Sequence, residues 1–340
     1  MARQPGVSIV IPSWNGLALL ERFLPSVQGA ARRYEEGGGA PVEIIVVDDA
    51  SEDATAEHLL ARGFSRSDAQ PRDSPWRLLR NEKNLGFGAT CNRGFQAARH
   101  SLVFLLNNDV EVAADAIAPL VEHFSDAQIF AVHCRVFELD SGRECGRGQL
   151  GGFSRGFLRV HRGYAARETP GGRPGPLYSI FASGGSAMFD RRKFLAMGGF
   201  EPLLSPIYWE DVQISYRAWK RGYAVLYEPR SIVHHRVSST MRKAGRNRIW
   251  RMQQRNRLLF HWIELHDSAF FAQHIGWVLL LAVTAPLRMQ FGFLRACVAA
   301  LRQIGRVRRR RAEEKLLAKR SDRQVLAVFQ ELADRPDIGT

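Results

Sequence analysis

Apolar residues in this chain of 340 residues gather in short unbroken runs, and several runs stop abruptly on polar residues. Leu102-Val-Phe-Leu-Leu106 is followed at once by Asn107, Asn108 and Asp109. A run without polar alternation has the pattern of a strand buried on both faces, which belongs to a parallel sheet covered by helices. Val42 to Val47 repeats this grammar and runs into Asp48 and Asp49, while Val7 to Ile11 ends at Pro12 and a polar turn of Ser13, Trp14, Asn15 and Gly16. Ligands of open α/β sheets collect outside the carboxyl ends of the strands. Asp48, Asp49 and Asp109 are therefore expected at one polar edge.

Between these strands the pattern turns helical over Leu17 to about Ala31, Asp53 to Ala61 and Ala89 to Ala98, with a further strand at Trp76 to Leu79. Alternation of this kind predicts right-handed βαβ units in a mainly parallel sheet. From Gly142 to Pro176 the periodicity gives way to Gly, Arg, Pro and scattered aromatics, which predicts a long irregular segment. Order is expected to resume at Phe181 to Phe189, at a helix over Tyr208 to Arg221 that opens on Trp209, Glu210 and Asp211, and at two short apolar pieces, Val225 to Tyr227 and Ile232 to Val233, the second ending at His234 and His235.

The C-terminal third differs in kind. Trp277 to Pro286 is strongly apolar but falls short of the roughly 20 residues that span a bilayer. Phe291, Phe293, Leu294, Val298, Leu301 and Ile304 then interleave with Arg295, Arg302 and Arg306, the profile of a helix lying in a membrane interface. A buried core helix with a solvated basic face is the other reading; aromatic and arginine residues continuing together over several turns favour the membrane.

Charge sharpens this picture. Lys and Arg number 48 against 34 Asp and Glu, a net +14, and much of the excess lies between Arg288 and Arg323. A basic surface implies an anionic partner. Arginines at 306 and 308–311 have no spacing suited to base readout, so nucleic acid is not expected. Four cysteines without CxxC or framework spacing suggest neither a zinc knuckle nor a disulfide scaffold, and fit a reducing compartment. Met1 to Gly6 is polar and leads straight into a strand, which predicts no signal peptide.

Asp48, Asp49, Asp109, Glu210, Asp211 and His234 form the candidate chemical set. Asp109 with an imidazole such as His234 offers oxygen and nitrogen ligands to Mg or Mn while leaving positions for phosphate oxygens. Asp48 or Asp49 could accept hydrogen bonds from a nucleotide, and Asp211 in the first turn of a helix could act as a general base. Taken singly, an acidic pair after a strand is often a helix cap and a His-His pair often structural.

Together, these pieces resemble the family 2 glycosyltransferases, of the nucleotide-diphospho-sugar transferase fold called GT-A. The matching stretches are Val7-Ser-Ile-Val-Ile-Pro-Ser-Trp-Asn-Gly16, Val46-Val-Asp-Asp-Ala-Ser51, Asn84-Leu-Gly-Phe-Gly-Ala-Thr-Cys-Asn-Arg-Gly94 and Leu106-Asn-Asn-Asp109. Gly184-Gly-Ser-Ala-Met188, Gly198-Gly-Phe-Glu201, Trp209-Glu-Asp211 and His234-His-Arg-Val-Ser-Ser-Thr240 continue the series, so that the resemblance covers residue 6 to about 260. Asn107 stands where the family's metal motif has its first aspartate, as in a rhamnosyltransferase-like branch that Arg255-Asn-Arg-Leu-Leu-Phe260 also resembles.

The resemblance implies an α/β GT-A fold, a mixed and mainly parallel sheet flanked by helices, to which the C-terminal pattern adds a helical membrane-associating extension. It places a catalytic domain over 1–240, with a nucleotide-binding half to about 110 and an acceptor half from 111; the apolar and basic pattern beyond predicts a helical region over 241–305, interfacial from 268, and a basic helical tail over 306–340. The resemblance implies that Pro12, Trp14, Asn15, Asp48, Asp49, Asn84, Gly86, Asn92 and Asn107 to Asp109, Asn108 included, meet a nucleotide-sugar donor linked to dTDP or UDP. By the same resemblance Asp109 and His234 hold a divalent metal (Mg or Mn), Gly184, Gly185, Ser186 and Trp209 face the acceptor, and Asp211, beside Glu210, is the catalytic base. The expected activity is inverting transfer of a deoxyhexose such as rhamnose to a lipid-linked or cell-envelope glycan, by a cytoplasmic enzyme peripheral to the inner face of an anionic membrane surface. Two rivals are a sugar nucleotidyltransferase, which should show a glycine- and arginine-rich phosphate loop where Pro12 to Gly16 stands, and a GT-A-fold binding protein that has lost catalysis.

Overall fold

The computed structural model describes residues 4–66, 74–166, 176–236 and 245–339. In chain order the elements are β1 (Val7–Ser13), α1 (Leu17–Glu36), β2 (Val42–Asp48), α2 (Thr55–Ala61), β3 (Ser65–Arg66), β4 (Trp76–Arg80), α3 (Phe87–Ala97), β5 (Leu102–Leu106), β6 (Val110–Val112), α4 (Ile117–Glu122), β7 (Ile129–Glu138) and β8 (Glu144–Gly146). There follow β9 (Gln149–Ser154), β10 (Phe157–Gly163), β11 (Ala165–Ala166), β12 (Ser186–Asp190), α5 (Arg191–Ala196), α6 (Glu210–Lys220) and β13 (Ala224–His235). Four longer helices, Arg246–Glu264, Ser268–Thr284, Phe291–Leu301 and Ile304–Leu317, precede a last helix, Asp322–Ala333, and β14 (Ile338–Gly339). Contacts group residues 1–147, 182–207 and 225–237 into one compact unit and 148–181, 208–224 and 238–340 into a second. That division interleaves along the chain and differs from boundaries near 240 and 305.

The first unit is built on one sheet of order β3-β4-β2-β1-β5-β12-β7-β13-β6, with β8 paired to β7. β3, β4, β2, β1 and β5 run parallel, and β12 enters antiparallel between β5 and β7. Every residue of β1, β2 and β5 is buried, as the unbroken apolar runs require. α1 buries Leu20, Phe23, Leu24, Val27, Ala31 and Tyr34, a stripe at helical spacing. On α3, a Cβ at Gly94 would sit 2.3 Å from Val10, so glycine there brings the helix backbone onto β1. Glu43 is the one acid inside the Val42–Val47 run of β2; buried, it accepts from Ser8 Oγ at 2.6 Å, Arg99 N at 2.6 Å and Arg77 at 3.1 Å.

Two expectations change here. Part of the Gly142–Pro176 segment forms β8 to β11 rather than irregular chain, with β9 and β10 paired antiparallel and β11 paired to β14; residues 167–175 lie outside the described residues. The two apolar pieces after 224 are one strand, β13. Glu228 and Arg230 interrupt its periodicity, and they are paired with each other and with His123 and Glu122.

The second unit joins β9–β10, α6 and the C-terminal helices around buried charge. Arg217 Nε stands 3.4 Å from both Glu264 and Glu314, while Lys220 Nζ and Tyr216 Oη each lie 2.7 Å from Asp322 Oδ1. Arg310 reaches Glu314 at 3.0 Å, and Arg311 donates to the Trp262 carbonyl at 3.0 Å. The tail expected as a basic appendage is thus partly spent on internal pairs. No helix among the described residues is long and apolar enough to cross a membrane.

Candidate active site

In the first unit, the carboxyl ends of β1, β2 and β5 carry a web of short-range hydrogen bonds. The register sets Ser13 beside Asp48 at the end of β1 and β2, and Asp49 N donates to the Ser13 carbonyl at 2.8 Å. β5 pairs with β1 only as far as Val10, so Pro12 occupies a stretch where no ladder partner on that side needs its missing N–H. Asn15, at φ +48°, donates its N–H to Ser51 Oγ at 2.8 Å and accepts Glu52 N on Oδ1 at 2.7 Å, which ties the two turns together. Trp14 stands exposed beside it.

Asp48 and Asp49 are both buried, with separate tasks. Asp48 Oδ1 accepts Ser51 N at 3.0 Å, and its Oδ2 lies 3.3 Å from Arg80 Nε. Asp49 closes the following loop: Oδ1 accepts Asn81 Nδ2 at 2.7 Å and Leu85 N at 2.8 Å, and Oδ2 accepts Gly86 N at 3.0 Å. Gly86 has φ +84°, and a Cβ there would meet the Pro206 carbonyl at 2.8 Å. Only glycine relieves both constraints.

After β5, each polar residue takes a different partner. A Cβ on Gly185 would fall 2.4 Å from Asn107 Nδ2, so the Gly184-Gly185 turn makes room for that carboxamide, and Asn107 N donates to the Gly185 carbonyl at 3.0 Å. Asn108 Nδ2 donates to Ser13 Oγ at 2.9 Å. Asp109 precedes β6, which pairs antiparallel with β13 in a register of Val110 with His235. His235 Nε2 consequently lies 3.1 Å from Asp109 Oδ1, an oxygen that is buried and makes no aligned hydrogen bond among the described residues.

In the second unit, α6 opens with two acids in its first turn, favourable to the helix dipole. Tyr208 and Trp209 before it both have positive φ, +80° and +75°, at a cost of about 1–3 kcal/mol each. Asn256, fully buried, donates from Nδ2 to the Tyr208 carbonyl at 2.9 Å, and the Trp209 and Phe260 rings are 5.3 Å apart. Glu210 is buried and Asp211 only partly so. Burial, and then the charge of Asp211, raises the Glu210 pKa to about 8. Neighbouring carboxyl groups in unlike surroundings can thereby take unlike protonation states.

A family model described as Glycosyl transferase family 2 matches residues 8–196, more than half of the chain. The chain belongs to that family. It is similar to a dolichol-phosphate mannosyltransferase of Pyrococcus furiosus, 28% identical over 131 residues, which are 38% of this chain and 33% of that protein. It is also similar to an undecaprenyl-phosphate 4-deoxy-4-formamido-L-arabinose transferase of Pseudomonas paraeruginosa, 35% identical over 118 residues, 34% of this chain and 31% of that one. The chain thus spans about a third of the length of the curated relatives it matches. Among solved structures, GalNAc-T7 with UDP, GalNAc and Mn2+ aligns with a TM-score of 0.57 at 20% identity, over 89% of this chain and 58% of that one. The mannosyltransferase PcManGT of Pyrobaculum calidifontis with GDP-Man and Mn2+ aligns with 0.51 at 16%, over 98% and 89%. At such identity the likeness is one of fold, and the fold is GT-A.

Several expected site residues of this family 2 chain have other work. Asn92 has a structural partner: its carboxamide donates to the Phe200 carbonyl at 2.9 Å and accepts Phe200 N at 2.8 Å, which leaves one N–H and one lone pair beyond those bonds. His234 gives way to His235 at Asp109. Successive strand residues point to opposite faces, and the His234 ring stacks on Phe137 instead, centroids 5.8 Å apart. Ser186 is buried in β12 opposite Leu106, and Pro12 is buried in β1, while Asn84 is exposed and accepts Gly86 N at 3.2 Å. Val237 to Thr240, the end of the histidine motif, lie outside the described residues. Sequence reasoning passed over Asn81, Arg80, His235 and Asn256. Of these His235 and Asn256 lay within quoted motifs, with nothing in the sequence to say which imidazole meets Asp109 or that Asn256 holds the turn before α6.

Proposed function

We propose that this chain is an inverting glycosyltransferase that moves a sugar from a nucleotide-diphosphate donor to an acceptor hydroxyl. The observation that carries the reading is Asp109 Oδ1, buried without an aligned hydrogen bond and 3.1 Å from His235 Nε2, just beyond β5. One carboxylate oxygen and one imidazole nitrogen suit Mg or Mn, ions often held by one or two protein groups with substrate phosphates completing the shell. When bound, such an ion would neutralise charge developing on the departing diphosphate. Among the described residues no group of three or more His, Cys, Asp or Glu is set to hold a metal. Asn107 is lodged against Gly185 where a second carboxylate would add charge.

Asp211 takes the acceptor proton, and the oxygen so freed displaces the nucleoside diphosphate in one step, which inverts the anomeric centre. Glu210 beside that base is held in a less polar setting, where burial and then the charge of Asp211 raise its pKa to about 8. The donor is a deoxyhexose such as rhamnose linked to dTDP or UDP, and the acceptor a lipid-linked or cell-envelope glycan; the relatives named for dolichol-phosphate and undecaprenyl-phosphate support an acceptor of that class. Such an acceptor draws the enzyme to the cytoplasmic face of an anionic membrane. A thermal-shift screen of nucleotide sugars with Mg or Mn should single out the donor by mass action. Asp211→Asn should then keep that shift and lose transfer by about 10²–10⁴-fold. Full transfer by this variant would falsify the base assignment.

A further inference from the structure

We infer that helices Ser268–Thr284 and Phe291–Leu301, with the turn 285–290 that joins them, form a docking surface for an anionic phospholipid bilayer. The inference rests on the reading above, in which a lipid-linked acceptor brings the enzyme to a membrane. Each helix buries one face, His274 and Val278 in one case and Phe293, Ala296 and Ala300 in the other, and Ala285 is buried in the turn between them. His274 donates to the Gly156 carbonyl at 2.7 Å, and Gly292 packs against Trp250, so both faces are anchored within the second unit.

The opposite face departs from the usual amphipathic rule. Residues that a water-facing helix would fill with polar groups are apolar: Leu279 is 60% exposed, Val283 74%, Leu287 86% and Met289 81%, with Phe291 and Leu301 also half open. A contiguous apolar surface of this kind marks an interaction site rather than scatter. Its charge selects the partner. From Ser268 to Ala312 the chain has no Asp or Glu and eight arginines, of which Arg288, Arg295, Arg302, Arg306, Arg308 and Arg309 are exposed. Arg288 sits between Leu287 and Met289, where an arginine beside inserted apolar side chains can reach up to lipid phosphates. Helices too short to span, apolar outward and edged only with arginine, fit the boundary between acyl chains and anionic headgroups.

The test is co-sedimentation of the full chain with phosphatidylcholine vesicles, with and without phosphatidylglycerol. Wild type should partition onto the anionic vesicles and weakly onto neutral ones. Arg295→Gln and Arg302→Gln should each lower that partition roughly fivefold. The double variant Leu287→Glu, Met289→Glu should lower it at least about tenfold while unfolding at the wild-type temperature, since both side chains are exposed. Equal binding by the double variant and wild type overturns the inference. So does a wild type that binds no vesicles and elutes as a dimer the double variant breaks, which would assign the face to a second copy of the chain. Nucleotide-sugar hydrolysis in vesicle-free buffer is read in parallel: its absence from wild type counts against the transferase reading alone, and its persistence in a vesicle-blind double variant shows that only docking was removed.

Discussion

Asp322 is the residue on which the C-terminal helices depend. Its carboxylate is fully buried and takes four donors: Tyr216 Oη and Lys220 Nζ, each at 2.7 Å, on Oδ1, and His266 N at 2.7 Å and Asp267 N at 2.6 Å on Oδ2. Asp322→Ala leaves a buried ammonium without its counter-charge and strands a phenol and two backbone N–H groups. Removing one partner of a buried ion pair costs about 3–5 kcal/mol, and each orphaned donor about 1–3 kcal/mol before the site relaxes. These contributions overlap, so about 4–6 kcal/mol is expected, a large part of the 5–15 kcal/mol that holds a typical domain folded. Tyr216→Phe removes one hydrogen bond, leaves the other three donors in place and should cost only about 1 kcal/mol. Urea unfolding followed by near-ultraviolet circular dichroism, to which Trp219 beside the Lys220 helix end contributes, measures both. A loss under about 1 kcal/mol for Asp322→Ala, or equal losses for the two variants, would refute the claim that this carboxylate fastens the last helix to α6.

Three further outcomes are expected. Asp49→Ala should destabilise by about 2–4 kcal/mol and weaken nucleotide binding by calorimetry, because Asn81, Leu85 N and Gly86 N lose their common acceptor. In steady-state kinetics with a divalent-ion titration, Asp109→Ala should lower kcat by at least about 10²-fold and His235→Ala by about 10–100-fold, with His234→Ala and Asn107→Ala closer to wild type and EDTA abolishing transfer. Burial holds the His274 pKa at about 4, and burial followed by the charge of His274 holds His261 well below its ordinary value. Both imidazoles bind protons in the unfolded chain first, so the stability they confer is complete above about pH 6.5 and is lost as pH falls toward 4, by up to about 1.4 kcal/mol per pH unit for each. Urea midpoints at pH 7 and pH 5 should therefore differ less for His274→Gln than for wild type.

The hydrophobic pattern was enough to establish the alternating sheet, because a strand buried on both faces can carry almost no polar residue and β1, β2 and β5 carry Ser8, Ser13, Glu43 and Asp48 alone. It also marked the carboxyl ends where Asp48, Asp49 and Asn107 to Asp109 stand, since an apolar run that stops on such groups must find them polar partners there, as Asp48 and Asp49 do while buried. Pairing across the chain was a different matter. His234 and His235 are adjacent and alike in sequence, and only the antiparallel register of β13 with β6 turns His235 toward Asp109 and sends His234 to Phe137. Asn92 carries nothing in its sequence neighbourhood to show that its amide bonds both backbone groups of Phe200, more than a hundred residues later. The arginines after residue 300 read as one basic tail, yet Arg310 and Arg311 turn inward while their neighbours stay in solvent, a choice made by which helix face meets Glu314 and Trp262. Local composition thus determined which segments are buried strands, which are helices and where polar chemistry must gather, because burial and backbone geometry act within a few residues. Partners for each polar side chain came only from the tertiary fold, because hydrogen bonds join groups that the sequence holds far apart.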